Sequence, residues 1–121
     1  MAADWNCGRH FIVDMWGVDK TILTDKRRLE SICVAAAENA QATVLHTFFH
    51  HFGGDYGVTG VVALAESHIS IHTWPEKGFA ALDIYMCGDC SPSVALYYIV
   101  EHIKSEYTTC KQLFRGLDNG K

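Results

Sequence analysis

The chain has 121 residues with a formal net charge of −4, and 49% of its residues are hydrophobic while 20% are charged. That length fits one domain of about 100–200 residues and excludes a TIM barrel or a dinucleotide-binding domain joined to a second domain. Mild acidity without a basic block argues against a nucleic-acid partner, and no apolar run approaches the roughly 20 residues of a membrane span. The first residues lack the basic and apolar stretches of a secretory signal, so we expect a cytoplasmic protein.

Apolar periodicity predicts six strands and two helices. The first helix carries an apolar stripe of Leu29, Ile32, Cys33, Ala36, Ala37 and Ala40. Thr24 is its expected N-cap, while Ser91 and Pro92 are expected to open the second helix. The second helix carries Ala95, Tyr98, Ile99, His102 and Ile103 on its apolar side. Strands are predicted at 8–16, 43–49, 58–65, 68–74, 79–86 and 108–114.

The order of these elements indicates the fold class. Short turns join most of the strands and only two helices are predicted, which favours an α+β fold, a two-layer α/β sandwich. Its sheet would be mainly antiparallel, with both helices on one face. The other face would carry His68, Ser70, His72 and Trp74, and a face of that kind is either polar surface or half of an interface or site.

Cysteine and histidine patterns leave some alternatives open. The cysteine count of five is odd, which fits reduced thiols better than a disulfide framework. Cys87 and Cys90 form a CxxC motif, whose alternatives are a redox pair and part of a zinc site. His68 and His72 would lie about 13 Å apart on a strand, too far to bind one ion, so no metal site is predicted.

The segment from Ala65 to Glu76 reads AESHISIHTWPE. It resembles the processing motif of the small bacterial and archaeal S-adenosylmethionine decarboxylases, which are pyruvoyl-dependent proenzymes. The resemblance continues through residues 78–88, and includes 8–10 and 56–62, so it covers nearly the whole chain. It therefore implies a single decarboxylase domain over residues 1–121.

The resemblance implies that the chain makes its own cofactor from Ser67. The Ser67 hydroxyl would attack the carbonyl of Glu66, and the resulting ester would eliminate to dehydroalanine and lose ammonia to leave a pyruvoyl group. The products would be residues 1–66 and 67–121. His72 is then the proton donor in processing, and Thr59 takes the place of a family serine that assists it. Because Ser67 and His72 point to opposite sides of a straight strand, we predict a sharp hairpin near 66–68.

The resemblance also assigns the catalytic and binding roles. The pyruvoyl carbonyl forms a Schiff base with the substrate amine and accepts the electrons released with carbon dioxide. Cys87 matches the acid that returns a proton to the product carbon. Phe52 matches an aromatic that stacks on adenine, Glu76 matches a carboxylate that binds the ribose hydroxyls, and Trp74 is expected to line the same pocket.

The expected function is decarboxylation of S-adenosylmethionine for spermidine synthesis, by a homodimer of cleaved protomers with sites near the subunit interface. Two alternatives stay open. Relatives of the family decarboxylate arginine or ornithine, and Asp55 would place a negative charge near the presumed pocket. The second is a binding protein that never cleaves, because Thr59 replaces the family serine.

Overall fold

The structure is a computed structural model that describes residues 8–116 of the chain. The described strands are β1 (Gly8–Trp16), β2 (Val44–His51), β3 (Val58–Leu64), β4 (Ser67–Trp74), β5 (Phe79–Met86) and β6 (Tyr107–Arg115). They form one antiparallel sheet in the order β2-β3-β4-β5-β1-β6. Strands β2 to β5 follow one another through short connections, while β1 lies between β5 and β6.

Two long helices cover one face of this sheet. The helices are α1 (Lys20–Leu23), α2 (Lys26–Asn39) and α3 (Pro92–His102), and a 3₁₀ turn spans Pro75–Lys77. Helix α2 packs on β2 and β3, while α3 packs on β5 and β1 and also against α2. This arrangement confirms the predicted two-layer sandwich. No helix among residues 8–116 is long and apolar enough to cross a membrane.

The start of α2 differs from the prediction. Asp25 is its N-cap and accepts a hydrogen bond from the Arg28 amide at 3.1 Å. Thr24 instead ends α1, and its hydroxyl donates to the Lys20 carbonyl at 3.0 Å. The expected cap was therefore wrong by one residue, because a four-residue helix capped by Asp19 precedes α2 and was not predicted. The predicted cap of α3 at Ser91 is confirmed.

The hydrophobic core lies between the helices and the covered face of the sheet. All six residues of the predicted α2 stripe are buried, and so are Ala95, Ile99 and Ile103 around α3, whereas His102 is exposed. On the sheet, alternation sends Ile69 and Ile71 of β4 into this core. The alternation of core-facing and outward-facing residues along β4 is therefore the one that the sequence predicts.

None of the helices within residues 8–116 packs on the opposite side of the sheet, which we call the open face. It presents alternating side chains of every strand, polar near the centre and apolar around them. The large apolar side chains exposed on it are Ile12, Trp16, Phe48, Val61, Trp74 and Leu113. Large apolar side chains exposed together on one face are typical of contact surfaces.

Candidate active site

The bond between Glu66 and Ser67 lies in a tight hairpin that joins β3 to β4. Leu64 pairs with Ser67 across this hairpin, so only Ala65 and Glu66 form its turn. Ser67 has a φ of 143°, which L-residues rarely adopt and which costs on the order of 1–3 kcal/mol. The sharp hairpin predicted at this point is present, with backbone strain at the serine itself.

The carbonyl oxygen of Glu66 accepts two hydrogen bonds from one residue. The Cys87 amide donates to it at 3.2 Å, and the Cys87 thiol donates to it at 3.2 Å. Two donors polarise the carbonyl and stabilise the negative charge that develops on its oxygen when a nucleophile attacks the carbon. We call Glu66, Ser67 and Cys87 the cleavage half-site.

The Glu66 side chain fixes the hairpin from the other direction. Its carboxylate accepts a hydrogen bond from the Thr43 amide at 2.9 Å and a longer one, 3.4 Å, from the Thr43 hydroxyl. The Ala65 amide also donates to the Thr43 carbonyl at 2.9 Å. These bonds hold both turn residues, Ala65 and Glu66, against Thr43 next to the strained Ser67.

A second group of predicted residues lies around a cavity of about 440 Å³. Thr59 and His72 face each other across β3 and β4, with 3.1 Å between the threonine Oγ1 and the histidine Nδ1. When the hydroxyl donates to Nδ1, the ring carries its hydrogen on Nε2, which is then available as a hydrogen-bond donor. Phe52, Trp74 and Glu76 line the same cavity. We call these five residues the aromatic half-site.

The aromatic half-site has the character of a small-molecule pocket. Its volume falls in the range of about 300–1,000 Å³ that such pockets occupy. Phe52 is 59% exposed and Trp74 is 39% exposed, so large ring surfaces are available to a ligand. Tyr56 also lines the cavity, a position that the sequence analysis did not assign, although 56–62 belongs to the segment that carries the resemblance.

A glycine sets the shape of the loop that carries Phe52 and Tyr56. Gly57 lies so close to β4 that an added Cβ would be 1.9 Å from the Thr73 carbonyl oxygen, which no side chain tolerates. The Gly57 carbonyl accepts from the Phe52 amide at 3.0 Å and closes the loop. The two aromatic residues are thus held at the mouth of the cavity by backbone contacts.

The two half-sites lie at opposite ends of β4. Ser67 opens the strand and His72 comes five residues later, about 16 Å away at the usual rise per residue. Cys87 lines a different cavity of about 320 Å³, which shares no residue with the aromatic cavity. Within one chain, therefore, the structure brings the predicted residues together as two groups and does not bring the groups to each other.

A polar cluster lies on the open face between and beside these half-sites. The Asp83 carboxylate is 2.9 Å from the His10 Nε2 and accepts a 3.4 Å bond from the Ser70 hydroxyl. Arg115 reaches the His10 Nδ1 at 3.2 Å. Burial lowers the pKa of the neighbouring His68 below its ordinary value, with Asp83 opposing the shift. Among the described residues, no three metal-binding side chains converge on one point.

Comparisons with known proteins agree with this geometry. Residues 9–116 match the family model described as S-adenosylmethionine decarboxylase. The chain is 42% identical over 112 residues to the S-adenosylmethionine decarboxylase proenzyme of Pyrococcus horikoshii, covering 92% of this chain and 80% of that one. It is 48% identical to the S-adenosylmethionine decarboxylase proenzyme 2 of Bacillus cereus, with 91% and 89% covered.

The fold has a matching solved structure. The crystal structure of the adenosylmethionine decarboxylase from Aquifex aeolicus VF5 superposes with a TM-score of 0.85 at 36% identity, covering 92% of each chain. Fold and sequence thus define a decarboxylase, in the carboxy-lyase class. The chain belongs to the S-adenosylmethionine decarboxylase family.

Proposed function

We propose that this chain is a proenzyme that cleaves itself between Glu66 and Ser67 and then decarboxylates S-adenosylmethionine. The observation that carries the proposal is the strained Ser67 beside a carbonyl that accepts two hydrogen bonds from Cys87. Strain raises the energy of the intact peptide bond, and the two donors lower the energy of the oxyanion that forms when the Glu66 carbonyl is attacked. The decarboxylated product would supply aminopropyl groups for spermidine synthesis in the cytoplasm.

These contacts support a cleavage reaction of the kind that the family resemblance implies. The Ser67 Oγ attacks the Glu66 carbonyl carbon, and the charge on the carbonyl oxygen is held by the Cys87 amide and thiol. The Ser67 nitrogen then leaves, so the peptide bond becomes an ester. Loss of the Ser67 α-proton breaks the ester and leaves a Glu66 carboxylate and a dehydroalanine, which takes up water and releases ammonia to give the pyruvoyl group. Residues 1–66 and 67–121 are the two products.

We propose that a second copy of the chain completes each site. A two-fold axis that lies between two stacked open faces and runs across β4 near Ser70 would bring the partner's His72 and aromatic half-site towards the cleavage half-site. The apolar side chains exposed on the open face, Ile12, Phe48 and Leu113 among them, would then be buried between the two sheets. The working enzyme would be a homodimer of cleaved protomers.

The residues present fit a pyruvoyl group and an adenosyl substrate. The pyruvoyl group supplies an electron sink for the electrons released when carbon dioxide leaves. Cys87 holds its thiol beside residue 67 and would return a proton to the product carbon. In the aromatic half-site, Phe52 and Trp74 would stack on the adenine, while the Glu76 carboxylate would accept hydrogen bonds from the ribose hydroxyls.

The contacts of Asp55 argue against the arginine or ornithine alternative. Asp55 lies 3.3 Å from the Lys20 ammonium and does not line the aromatic cavity. Its charge is therefore directed to α1 rather than to a cationic substrate. The non-cleaving alternative rested on Thr59, whose hydroxyl nevertheless keeps hydrogen-bond contact with His72.

Intact mass measurement of the purified protein tests the proposal. The wild-type chain is expected as two fragments, 1–66 and 67–121, the second with a pyruvoyl group that borohydride reduces. Ser67→Ala should remain one uncleaved chain without decarboxylase activity. Ser31→Ala, which changes an exposed serine on α2, should cleave like the wild type. A single wild-type species with an unmodified Ser67 would falsify the proposal.

A further inference from the structure

The proposed reaction uses only the first cysteine of the CxxC motif, Cys87, and gives no role to the second, Cys90. Gly88 and Asp89 form a two-residue turn between Cys87 and Cys90. A turn of this kind brings its flanking Cα atoms within about 7 Å, and disulfides join Cα atoms about 4.4–6.8 Å apart. Gly88 has a φ of 74° and nothing lies within 4 Å of an added Cβ, so no other residue packs against the turn on that side.

The two cysteines line one cavity and have different surroundings. Both contribute to the cavity of about 320 Å³ at the β5–α3 connection. Cys87 is half-buried, whereas Cys90 is only 8% exposed and its thiol donates to the Gln41 carbonyl at 3.5 Å. Burial raises the pKa of the Cys90 thiol, and the nearby Glu66, Cys87 and Asp89 raise it further.

We propose that Cys87 and Cys90 form a reversible disulfide that switches the decarboxylase off. The proposal rests on the function proposed above, because it concerns the thiol that donates the catalytic proton. Cys87 is the more accessible sulfur and would react first with a small-molecule disulfide, and Cys90 would then resolve the product. The site is a redox modification site placed on the catalytic acid itself.

The oxidation is a balanced thiol–disulfide exchange. The Cys87 thiolate attacks one sulfur of a glutathione-type disulfide, forming a mixed disulfide and releasing one small thiol. Cys90 then loses its proton, and its thiolate attacks the Cys87 sulfur and releases the second small thiol. Two protein S–H bonds are lost and one S–S bond forms, while the small disulfide is reduced to two thiols. Cys87 then has no proton to donate.

Two other described cysteines serve as comparisons. Cys33 is fully buried, burial raises the pKa of its thiol to about 12, and it lines neither cavity, so a small disulfide does not reach it. Cys110 is exposed on β6 and lines neither cavity. It is a thiol available to the same oxidant without a place in the site, which makes Cys110→Ala the matched control.

The experiment incubates the cleaved enzyme in glutathione buffers of increasing oxidised fraction. Carbon dioxide release and the mass of the 67–121 fragment are then measured. The wild type and Cys110→Ala should lose about 100-fold in activity, the contribution of a general acid, and dithiothreitol should restore it. The inactive fragment should lack two hydrogens and show one Cys87–Cys90 disulfide after proteolysis.

Cys90→Ala keeps Cys87 but removes the resolving thiol. It should stay active in buffers that inactivate the wild type, and stronger oxidation should give a glutathione adduct on Cys87. Cys90→Ser provides the same test should the alanine variant fold poorly. The proposal is overturned if both variants lose activity in step with the wild type, or if Cys87 and Cys90 stay alkylatable in inactive enzyme. The mass measurement detects the disulfide even if the protein releases no carbon dioxide. A failure of the proposed decarboxylase function can therefore be told apart from a failure of the proposed disulfide.

Discussion

The cleavage half-site and the aromatic half-site lie on the same strand yet are built in different ways. The first is tight: a strained serine and a carbonyl with two donors, in a turn fixed by Thr43. The second is open: exposed rings around a cavity at the other end of β4. The difference fits the proposal that the first end of the strand carries the bond that rearranges and that the second end offers the surface that holds a ligand.

The distance between the half-sites is the more instructive part of this comparison. About 16 Å separates Ser67 from His72 along β4, too far for a proton transfer. In the proposed homodimer, a chain that carries both halves without joining them gains its complete site by association across the open face. Variants that affect one half and spare the other test this account.

Loss of the Cys87 thiol is expected to have the largest effect. Cys87→Ala removes one donor to the Glu66 carbonyl and the proposed acid of the decarboxylation. Cleavage should slow by about 10-fold or more, because the Cys87 amide still donates, and turnover of cleaved enzyme should fall about 100-fold or more. Gel time courses measure the first effect and carbon dioxide release the second. Cys110→Ala should match the wild type in both, and unchanged turnover in Cys87→Ala would mean that another group is the acid.

A change at Phe52, a ligand-facing ring of the aromatic half-site, should have a smaller effect, confined to substrate binding. Phe52→Ala removes a ring expected to contribute about 1–3 kcal/mol by stacking on a base, so KM should rise by about 10-fold while cleavage proceeds normally. Tyr97→Ala, at an exposed aromatic on α3, is the matched control and should leave KM unchanged. A Phe52 variant with slow cleavage and normal KM would reverse the assignment of the two half-sites.

The smallest expected effect concerns the hydroxyl beside His72. Thr59→Val keeps the shape of the side chain but removes the hydrogen bond to the ring, at a cost of about 1 kcal/mol and so a several-fold slower cleavage. Thr59→Ser restores the hydroxyl and should cleave at least as fast as the wild type. Equal rates for the valine and serine variants would remove Thr59 from the processing step.

Local patterns in the sequence predict the elements but not their association into a site. Alternation predicts β1 and β5 with the bounds that the structure has, because the apolar residues of each strand alternate with those that face away from the core. The short helix α1 was missed because its cap, Asp19, stands in a segment without apolar periodicity. The polar cluster joins His10 to Asp83 across 73 residues, and no local signal connects positions so far apart.

Ser67 and His72 are an odd number of residues apart, so the sequence correctly predicts that they do not meet on a straight strand. The hairpin predicted from this spacing explains only part of the arrangement. That hairpin is present, but a bend near Ser67 does not bring His72 closer along β4. We propose that a second chain supplies the other half-site. Contacts between two chains leave no periodic pattern in the residues of one strand, so the sequence does not predict them.

Complementation between two defective chains tests the central claim most directly. Ser67→Ala and His72→Ala are co-expressed with different affinity tags, and dimers carrying both tags are purified. If His72 acts on the partner's Ser67, each mixed dimer contains one intact site of two. It should then show about half of the wild-type activity and one cleaved chain, although each parent is inactive. Mixed dimers that neither cleave nor release carbon dioxide would contradict a site shared between subunits.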